Sequence, residues 1–169
     1  LRVDANGAFA PSEALTKLHQ LAELDLHSIE QPIRAGQWEE MARLTQESPL
    51  PIALDEELIG CNQPQKKREL LQTVRPHYII LKPSLHGGLH GASEWIELAD
   101  ELLGQREGHP SWWITSALES NIGLNVIAQW CATFHNPLPQ GLGTGQPFTD
   151  NIDRPLSIQG DCLWFAPNR

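Results

Sequence analysis

Four ionisable residues recur along the chain at nearly constant intervals. Asp4, Glu30, Asp55 and Lys82 are separated by 26, 25 and 27 positions, and each closes a short apolar segment. The interval is close to the length of one strand with its connecting helix, so each residue should occupy the same position on successive strands. The carboxyl ends of parallel strands meet at one edge of a sheet, where the loops of α/β proteins build their active sites. We therefore expect the four side chains to lie close together.

Three converging carboxylates are costly unless a cation accompanies them. Two carboxylates ~5 Å apart repel by roughly 3 kcal/mol at an effective dielectric constant near 20, and three would cost on the order of 10 kcal/mol. A bound divalent cation removes that cost, and oxygen ligands suit Mg²⁺, with Mn²⁺ as an alternative, better than zinc. The sequence predicts a metal site formed by Asp4, Glu30 and Asp55, with room for a substrate carboxylate and with Lys82 beside it.

Each of these residues also has an ordinary structural explanation when it is taken singly. An aspartate after a strand is often a helix cap or a turn residue. Glu30 could be a loop charge, residues 55–57 could form a solvated acidic turn, and Lys82 could extend into solvent. The shared position on successive strands is what favours the metal site over these explanations.

The elements that must position these residues follow a strand–helix alternation. Strands are predicted at residues 1–5, 27–30, 51–55, 78–82, 112–116 and 139–142, with helical periodicity between them and a glycine-rich loop at 86–91. Such alternation predicts an α/β fold with a parallel sheet, either open and doubly wound or closed as a barrel. A complete (β/α)₈ TIM-type barrel takes ~250 residues. Six units fit an incomplete barrel of about strands 3–8 over residues 1–149, followed by a C-terminal hairpin at 150–169.

Composition excludes several classes of partner. The formal net charge of −9 argues against nucleic acid and anionic membranes, and 40% hydrophobic residues indicate a globular domain. The three cysteines are odd in number and lack a C-x-x-C spacing, which favours a reducing, cytoplasmic setting. No signal peptide or membrane-spanning run is apparent in the sequence. We expect a small-molecule carboxylate as substrate, and the sequence does not indicate an oligomeric state.

Three weaker motifs do not support a different kind of site. His86 and His90 have the spacing of a helical zinc pair, but the glycines between them favour a flexible substrate-side loop. The spacing of Gly141, Gly143 and Gly145 is not that of a dinucleotide-binding motif. Ser120 lacks the histidine and aspartate partners of a hydrolase nucleophile.

Four segments carry a resemblance to a known family. They are Leu-Arg-Val-Asp-Ala-Asn (1–6), Ile-Glu-Gln-Pro (29–32), Ile-Ala-Leu-Asp-Glu (52–56) and Ile-Leu-Lys-Pro-Ser (80–84). In order and spacing they resemble the third to sixth barrel strands of the enolase superfamily, in its muconate-cycloisomerase-like branch. The resemblance implies that Asp4, Glu30 and Asp55 bind Mg²⁺, that Lys82 is catalytic, and that Asn6 and Glu56 lie just behind the metal ligands.

A further segment narrows the resemblance. Residues 114–124, Ile-Thr-Ser-Ala-Leu-Glu-Ser-Asn-Ile-Gly-Leu, are similar to the seventh-strand motif of the o-succinylbenzoate synthases. This implies that the substrate is contacted by side chains on the seventh strand and by the eighth-strand loop, namely Ser116, Glu119, Ser120, Gly141 and Gly143. The implied enzyme is a carbon–oxygen lyase of menaquinone biosynthesis that dehydrates 2-succinyl-6-hydroxy-2,4-cyclohexadiene-1-carboxylate to o-succinylbenzoate. In that family Mg²⁺ stabilises an enediolate, a second-strand lysine acts as base and then acid, and the sixth-strand lysine, here Lys82, stabilises the anion.

Other activities of the superfamily share the metal ligands and the sixth-strand lysine. They are N-succinylamino-acid racemase, dipeptide epimerase and muconate cycloisomerase. Epimerases commonly carry Asp-x-Asp on the eighth strand, where this chain has Gly-Leu-Gly-Thr-Gly (141–145), and this difference favours the synthase. A non-catalytic barrel fragment is the remaining alternative.

The sequence departs from the family pattern at its beginning. The Lys-x-Lys motif of the second strand, the first strand and the N-terminal capping domain are not among these residues, and the chain opens inside a strand without a methionine. We expect these parts to precede residue 1. We also expect the present chain alone to be inactive and to leave open sheet edges.

Overall fold

Short parallel strands alternate with longer helices in a computed structural model that describes residues 1–143, 148–152 and 156–165. The strands of the main sheet are Arg2–Asp4 (β1), Ser28–Glu30 (β2), Ile52–Leu54 (β3), Tyr78–Leu81 (β4) and Trp112–Ile114 (β7). Two further pairs are Gln105–Arg106 (β5) with His109–Pro110 (β6), and Leu156–Gln159 (β8) with Cys162–Phe165 (β9). The helices are Pro11–Ala22 (α1), Trp38–Glu47 (α2), Pro64–Val74 (α3), Gly88–Leu102 (α4) and Asn121–Cys131 (α5), with 3₁₀ turns at Glu56–Leu58 and Pro83–Leu85. Among the described helices, none combines the length and apolarity needed to cross a membrane.

The main sheet has the strand order β1-β2-β3-β4-β7, and every neighbouring pair is parallel. A helix follows each of these strands, as parallel neighbours require a crossover connection. The strands are therefore hydrogen-bonded in the order in which they occur along the chain, as in a barrel wall.

The two faces of the sheet are both buried but pack against different partners. Side chains on the outer face, such as Ile29, Leu54 and Ile79, join the helices in the main core. On the inner face a separate apolar cluster is formed by Ala53, Tyr78, Ile80, Trp113 and Leu138. Alternation with a period of two along each strand separates the sets.

Aromatic and basic groups cover the amino-terminal end of the inner face. The rings of His27, Tyr78 and Trp113 lie within 5.0–6.2 Å of one another. The Arg2 guanidinium stacks 3.8 Å from the centre of the Trp113 ring and donates a 2.8 Å hydrogen bond to the Pro139 carbonyl. The first strand of the sheet is thus connected across the interior to the last one.

Three local features differ from the sequence prediction. The predicted strand at 139–142 is a single parallel bridge between Thr115 and Gly141 in the described residues, because prolines at 137 and 139 cannot donate ladder hydrogen bonds. The glycine-rich loop predicted at 86–91 ends early, since α4 begins at Gly88. The two-residue strands β5 and β6 were not predicted, and Glu107 and Gly108 between them both have positive φ, as a tight hairpin turn requires.

The C-terminal residues form a small antiparallel pair, β8 with β9, connected by a turn at Gly160. Predicted features at residues 144, 145 and 155 lie outside the described residues. The division into a barrel part at 1–149 and a tail at 150–169 stays a prediction.

Candidate active site

The four ionisable residues singled out in the sequence lie at the carboxyl ends of four adjacent strands. Asp4 and Glu30 are the last residues of β1 and β2 and are paired in register. Asp55 and Lys82 directly follow β3 and β4. Because Glu30 pairs with Ala53, Asp55 lies two positions further along its strand and points to the same face of the sheet. The structure therefore brings these side chains to one rim.

Asp55 and Lys82 form an ion pair at this rim. The Lys82 ammonium donates to Oδ2 of Asp55, which is 1% exposed. The other carboxylate oxygen, Oδ1, is buried and has no hydrogen-bond partner within the described part of the chain. A buried carboxylate oxygen without a partner is costly, so this atom is available to a cation or a donor.

Glu30 is held in an environment that disfavours its charge. Burial, the side-chain interaction with Asp55 and the negative charge of Asp4 raise the pKa of Glu30 to about 8, although Lys82 opposes the shift. The carboxylates are thus close enough to compete for one compensating charge. Lys82 supplies part of that charge.

Lys82 is held in its protonated form. Burial alone would lower the pKa of Lys82, but the hydrogen bond to Asp55 and the charges of Asp55 and Glu30 outweigh burial and raise it. The side chain is an ammonium at neutral pH. It is therefore suited to stabilising negative charge rather than to removing a proton.

The donor chemistry of this rim fits a hard divalent cation. Asp4, Glu30 and Asp55 offer only oxygen ligands, and Oδ1 of Asp55 is buried without a hydrogen-bond partner among the described residues. The side chains are not already in coordinating positions, since the described residues contain no group of three His, Cys, Asp or Glu side chains close enough to hold an ion. Ion binding would require side-chain rearrangement at the rim, including a change in the Asp55–Lys82 pair.

Asn6 and Glu56 lie next to the predicted ligands in the chain. The backbone N–H of Asn6 donates a 2.7 Å hydrogen bond to Oδ1 of Asp4, in a turn where Asn6 has a positive φ of 48°. Oε2 of Glu56 is buried without a hydrogen-bond partner within the described residues. Burial and the nearby charge of Asp55 raise the pKa of Glu56, although its own backbone N–H lowers it.

Gln31 is a structural residue of the rim that the sequence analysis did not identify. Its side chain is fully buried, and its Oε1 accepts hydrogen bonds from the backbone N–H groups of Asp55, at 3.2 Å, and of Glu57, at 3.3 Å. Its Nε2 donates to the Ile33 carbonyl and to Oε2 of Glu57. One amide therefore connects the end of β2 to the turn that carries Asp55. Its only sequence signal is a polar residue between Glu30 and a proline.

His86 was expected on a glycine-rich loop at 86–91; it lies in the turn before α4, whereas residues 88–91 are helical. The side chain is 0% exposed, and its Nδ1 accepts a 3.2 Å hydrogen bond from the backbone N–H of Lys82. The glycines after it start helix α4 instead of prolonging the loop. His90 is exposed and lies 3.4 Å from Glu94, one turn along the helix.

The residues predicted to contact substrate near β7 divide into two sets. Ser116 is buried, and its backbone N–H donates a 3.2 Å hydrogen bond to the Gly141 carbonyl. A Cβ added at Gly141 would come 2.5 Å from Oγ1 of Thr115, so glycine is needed for this close approach. Gly143, by contrast, has open space around it.

The second set lies at the amino end of α5. The Glu119 carboxylate accepts a 3.0 Å hydrogen bond from the backbone N–H of Ala117, so it is turned toward its own loop. Ser120 is exposed and occupies the position that precedes the helix. Glu119 is half-buried, whereas Ser120 is open to solvent.

Comparisons with known proteins agree with this arrangement. Residues 1–164 match the family model described as "Enolase C-terminal domain-like". The chain is 56% identical to the o-succinylbenzoate synthase of Desulfotalea psychrophila over 163 residues. This aligned region covers 96% of this chain and 42% of that protein. It is 34% identical to the N-succinylamino acid racemase of Thermus thermophilus over 73% of this chain and 31% of that protein.

A solved structure gives the same result. The crystal structure of MenC from Desulfotalea psychrophila superimposes with a TM-score of 0.89 at 55% identity, covering 96% of this chain and 44% of that one. The chain thus spans less than half the length of these relatives. The match confirms the predicted α/β class and the incomplete barrel.

Proposed function

The chain belongs to the enolase C-terminal domain-like family, and from this membership we propose that the protein carrying it is an o-succinylbenzoate synthase. The proposed reaction is the dehydration of 2-succinyl-6-hydroxy-2,4-cyclohexadiene-1-carboxylate to o-succinylbenzoate in menaquinone biosynthesis. The row Asp4, Glu30, Asp55 and Lys82 at the carboxyl ends of adjacent strands supports the metal-dependent chemistry that the activities of the superfamily share. The observation that carries the synthase over the alternative activities is the 56% identity to an o-succinylbenzoate synthase.

We propose that Asp4, Glu30 and Asp55 hold a Mg²⁺ ion, for which Mn²⁺ could substitute. The buried Oδ1 of Asp55 supports this assignment, and so does the raised pKa of Glu30, which burial causes first and the neighbouring Asp55 and Asp4 carboxylates increase. When bound, the cation would offset the negative charge that develops on a substrate carboxylate as its α-proton is removed. Asn6 would orient Asp4 through its backbone N–H, and Glu56 would add negative charge behind the ligands.

Lys82 is proposed to stabilise the anion formed during the reaction. A lysine is an ammonium at neutral pH, so the contribution of Lys82 is electrostatic and strongest where water is excluded. The proton transfer then needs another group, and the family resemblance implies a second-strand lysine that is not among these 169 residues.

The substrate is proposed to extend from this rim toward β7. Ser116 and Gly141 would line that side, and the absence of a side chain at Gly143 would leave room for the ring. Glu119 and Ser120 would contact the outer end of the substrate.

A turnover assay of the full-length protein with Mg²⁺ tests the proposal directly. We expect formation of o-succinylbenzoate, and we expect Asp55→Asn to abolish it and to weaken Mg²⁺ binding in calorimetry. Asp25→Asn is the matched control, since Asp25 is exposed and precedes β2, at the opposite end of the sheet. Wild-type rates in Asp55→Asn would refute the ligand assignment, and no product from the wild type would refute the synthase.

The second candidate is N-succinylamino-acid racemase, supported by the 34% identity to such an enzyme. Dipeptide epimerase and muconate cycloisomerase are the other activities that the superfamily resemblance implies. A racemase and epimerase panel run beside the synthase assay separates them. Whichever of these activities the protein has, we propose that it is located in the cytoplasm, and the three unpaired cysteines support this location.

A further inference from the structure

His86 is a buried polar side chain next to the candidate site, and it has no role in the proposed reaction. Its side chain is 0% exposed, and Nδ1 accepts a 3.2 Å hydrogen bond from the backbone N–H of Lys82. Two backbone hydrogen bonds close the same turn, from Leu85 to the Lys82 carbonyl at 2.8 Å and from His86 to the Pro83 carbonyl at 3.2 Å. The imidazole thus lies inside the turn that begins at Lys82.

The hydrogen bond to His86 satisfies the backbone N–H of Lys82, which has no partner in the sheet among the described residues. Strand β3 ends at Leu54, and the chain then turns into the 3₁₀ segment at Glu56–Leu58. The backbone N–H of Lys82 extends beyond the ladder between β3 and β4, whose last pair is Leu54 with Ile79. A partly buried N–H without a partner would be costly, and His86 satisfies it.

The protonation state of His86 follows from this contact. Because Nδ1 accepts a hydrogen bond, the ring is neutral and carries its proton on Nε2, which is buried and has no hydrogen-bond partner among the described residues. Burial supports the neutral form, since it lowers the pKa of His86 to about 4. The acceptor is therefore present throughout the neutral pH range.

The first turn of α4 holds His86 from the other side. A Cβ added at Gly91 would collide with the His86 carbonyl oxygen, so the helix backbone packs directly against this residue. The buried ammonium of Lys67 donates a 2.8 Å hydrogen bond to the Gly91 carbonyl and pairs with Glu94 at 2.7 Å. The loop after β4 is therefore fixed by helices α3 and α4.

We propose that His86 is a positioning residue for Lys82, which fixes the backbone from which the ammonium reaches Asp55. The effect on catalysis rests on the proposed function, whereas the effect on the Lys82 backbone does not. A displaced Lys82 backbone would move the ammonium away from the developing negative charge, and small displacements of this kind reduce rates strongly.

The test compares three variants of the full-length protein. His86→Asn keeps an acceptor near the position of Nδ1, His86→Leu has nearly the same shape without one, and His86→Gln moves the amide one methylene further. We expect kcat of His86→Leu to fall by about tenfold or more, because the free energy of one partly buried hydrogen bond corresponds to roughly that factor. KM and Mg²⁺ affinity should change little. His86→Asn should recover most of kcat, and His86→Gln should recover less.

A second measurement is independent of turnover. Amide hydrogen exchange at Lys82, followed by NMR, should accelerate in His86→Leu and stay slow in His86→Asn. If the wild type forms no o-succinylbenzoate but exchange behaves in this way, the synthase proposal fails and the positioning proposal stands. Wild-type kcat and exchange in His86→Leu would overturn the positioning role, and so would equal impairment of the leucine and asparagine variants. If His86→Leu does not fold, the order of His86→Asn and His86→Gln in kcat and in exchange decides the matter, and an equal or reversed order overturns the proposal.

Discussion

At the scale of single residues, Lys82 and a bound cation are competitors for the same carboxylate. In the structure the Lys82 ammonium takes Oδ2 of Asp55. Replacing Lys82 by methionine should therefore leave Mg²⁺ affinity unchanged or increased, while kcat falls by about 100-fold or more, because one preorganised positive charge is lost from the transition state. Calorimetric titration with Mg²⁺ and steady-state turnover measure the two effects. Lys66→Met, on the exposed side of α3, is the matched control. A variant that loses Mg²⁺ binding and turnover together would contradict this separation of roles.

Glu30 predicts a pH dependence of stability at the same rim. Burial, the contact with Asp55 and the charge of Asp4 raise its pKa from 4.5 to about 8. The folded state therefore binds a proton at Glu30 more tightly than the unfolded state does. The stability that this proton contributes is fully present below pH 4.5 and is lost as the pH rises to about 8. In EDTA, the free energy of unfolding should decrease over this range.

Urea unfolding at several pH values measures this effect in the full-length protein. Glu30→Gln cannot ionise, so its free energy of unfolding should decrease less over the same range than that of the wild type. Mg²⁺ should reduce the wild-type decrease, because the ion stabilises the charged carboxylates. Parallel curves for wild type and Glu30→Gln in EDTA would show that Glu30 does not titrate in this window.

At the scale of elements, the start of α4 predicts how two similar substitutions differ. Gly91→Ala would drive a Cβ into the His86 carbonyl, which is backbone and cannot move without shifting the loop that carries Lys82. Gly123→Ala, in α5, would meet Oε2 of Glu119 at 2.6 Å, the far end of a flexible side chain. We expect Gly91→Ala to lower the free energy of unfolding by ~2–4 kcal/mol and Gly123→Ala to change it by less than about 1 kcal/mol. Urea unfolding of both variants checks this, and equal values would contradict the packing argument.

The same elements show which parts of the fold a sequence can predict. The alignment of Asp4, Glu30, Asp55 and Lys82 at one rim was predictable because strand alternation and spacing are local properties of the sequence. The role of Gln31 was not, because it depends on hydrogen bonds to residues 24 and 26 positions away. The short bridge at Gly141 in place of a strand reflects prolines whose effect depends on which neighbour they face.

Around His86 the prediction failed for a related reason. Consecutive glycines usually indicate a loop, and Gly87 and Gly88 do have positive φ values of 83° and 76°. The helix nevertheless begins at Gly88, because Gly91 lets α4 approach the His86 carbonyl and Lys67 binds the Gly91 carbonyl from α3. A contact between two helices thus decides the conformation of a segment whose own composition favours a turn.

At the scale of the whole molecule, the inner face of the sheet has two chemically different ends. The carboxyl ends of the strands carry the carboxylates and Lys82, whereas the amino ends carry the aromatic cluster of His27, Tyr78 and Trp113. Tyr78 and Trp113 continue into the apolar cluster with Ala53, Ile80 and Leu138, which separates the two ends. An apolar interior closed at one end lowers the local dielectric constant at the other, and this strengthens the charge interactions of the rim.

Arg2 connects the first strand to the last across this interior. Its guanidinium lies 3.8 Å from the centre of the Trp113 ring and donates to the Pro139 carbonyl at 2.8 Å, and burial lowers the pKa of Arg2. Arg2→Met keeps the length of the side chain but loses the stacked cation and the hydrogen bond. It should lower the free energy of unfolding by ~1–3 kcal/mol, measured by urea unfolding of the full-length protein. Arg34→Met, at an exposed loop position, is the matched control. If the two variants unfold at the same urea concentration, the contacts of Arg2 with Trp113 and Pro139 do not stabilise the fold, and the prediction is refuted.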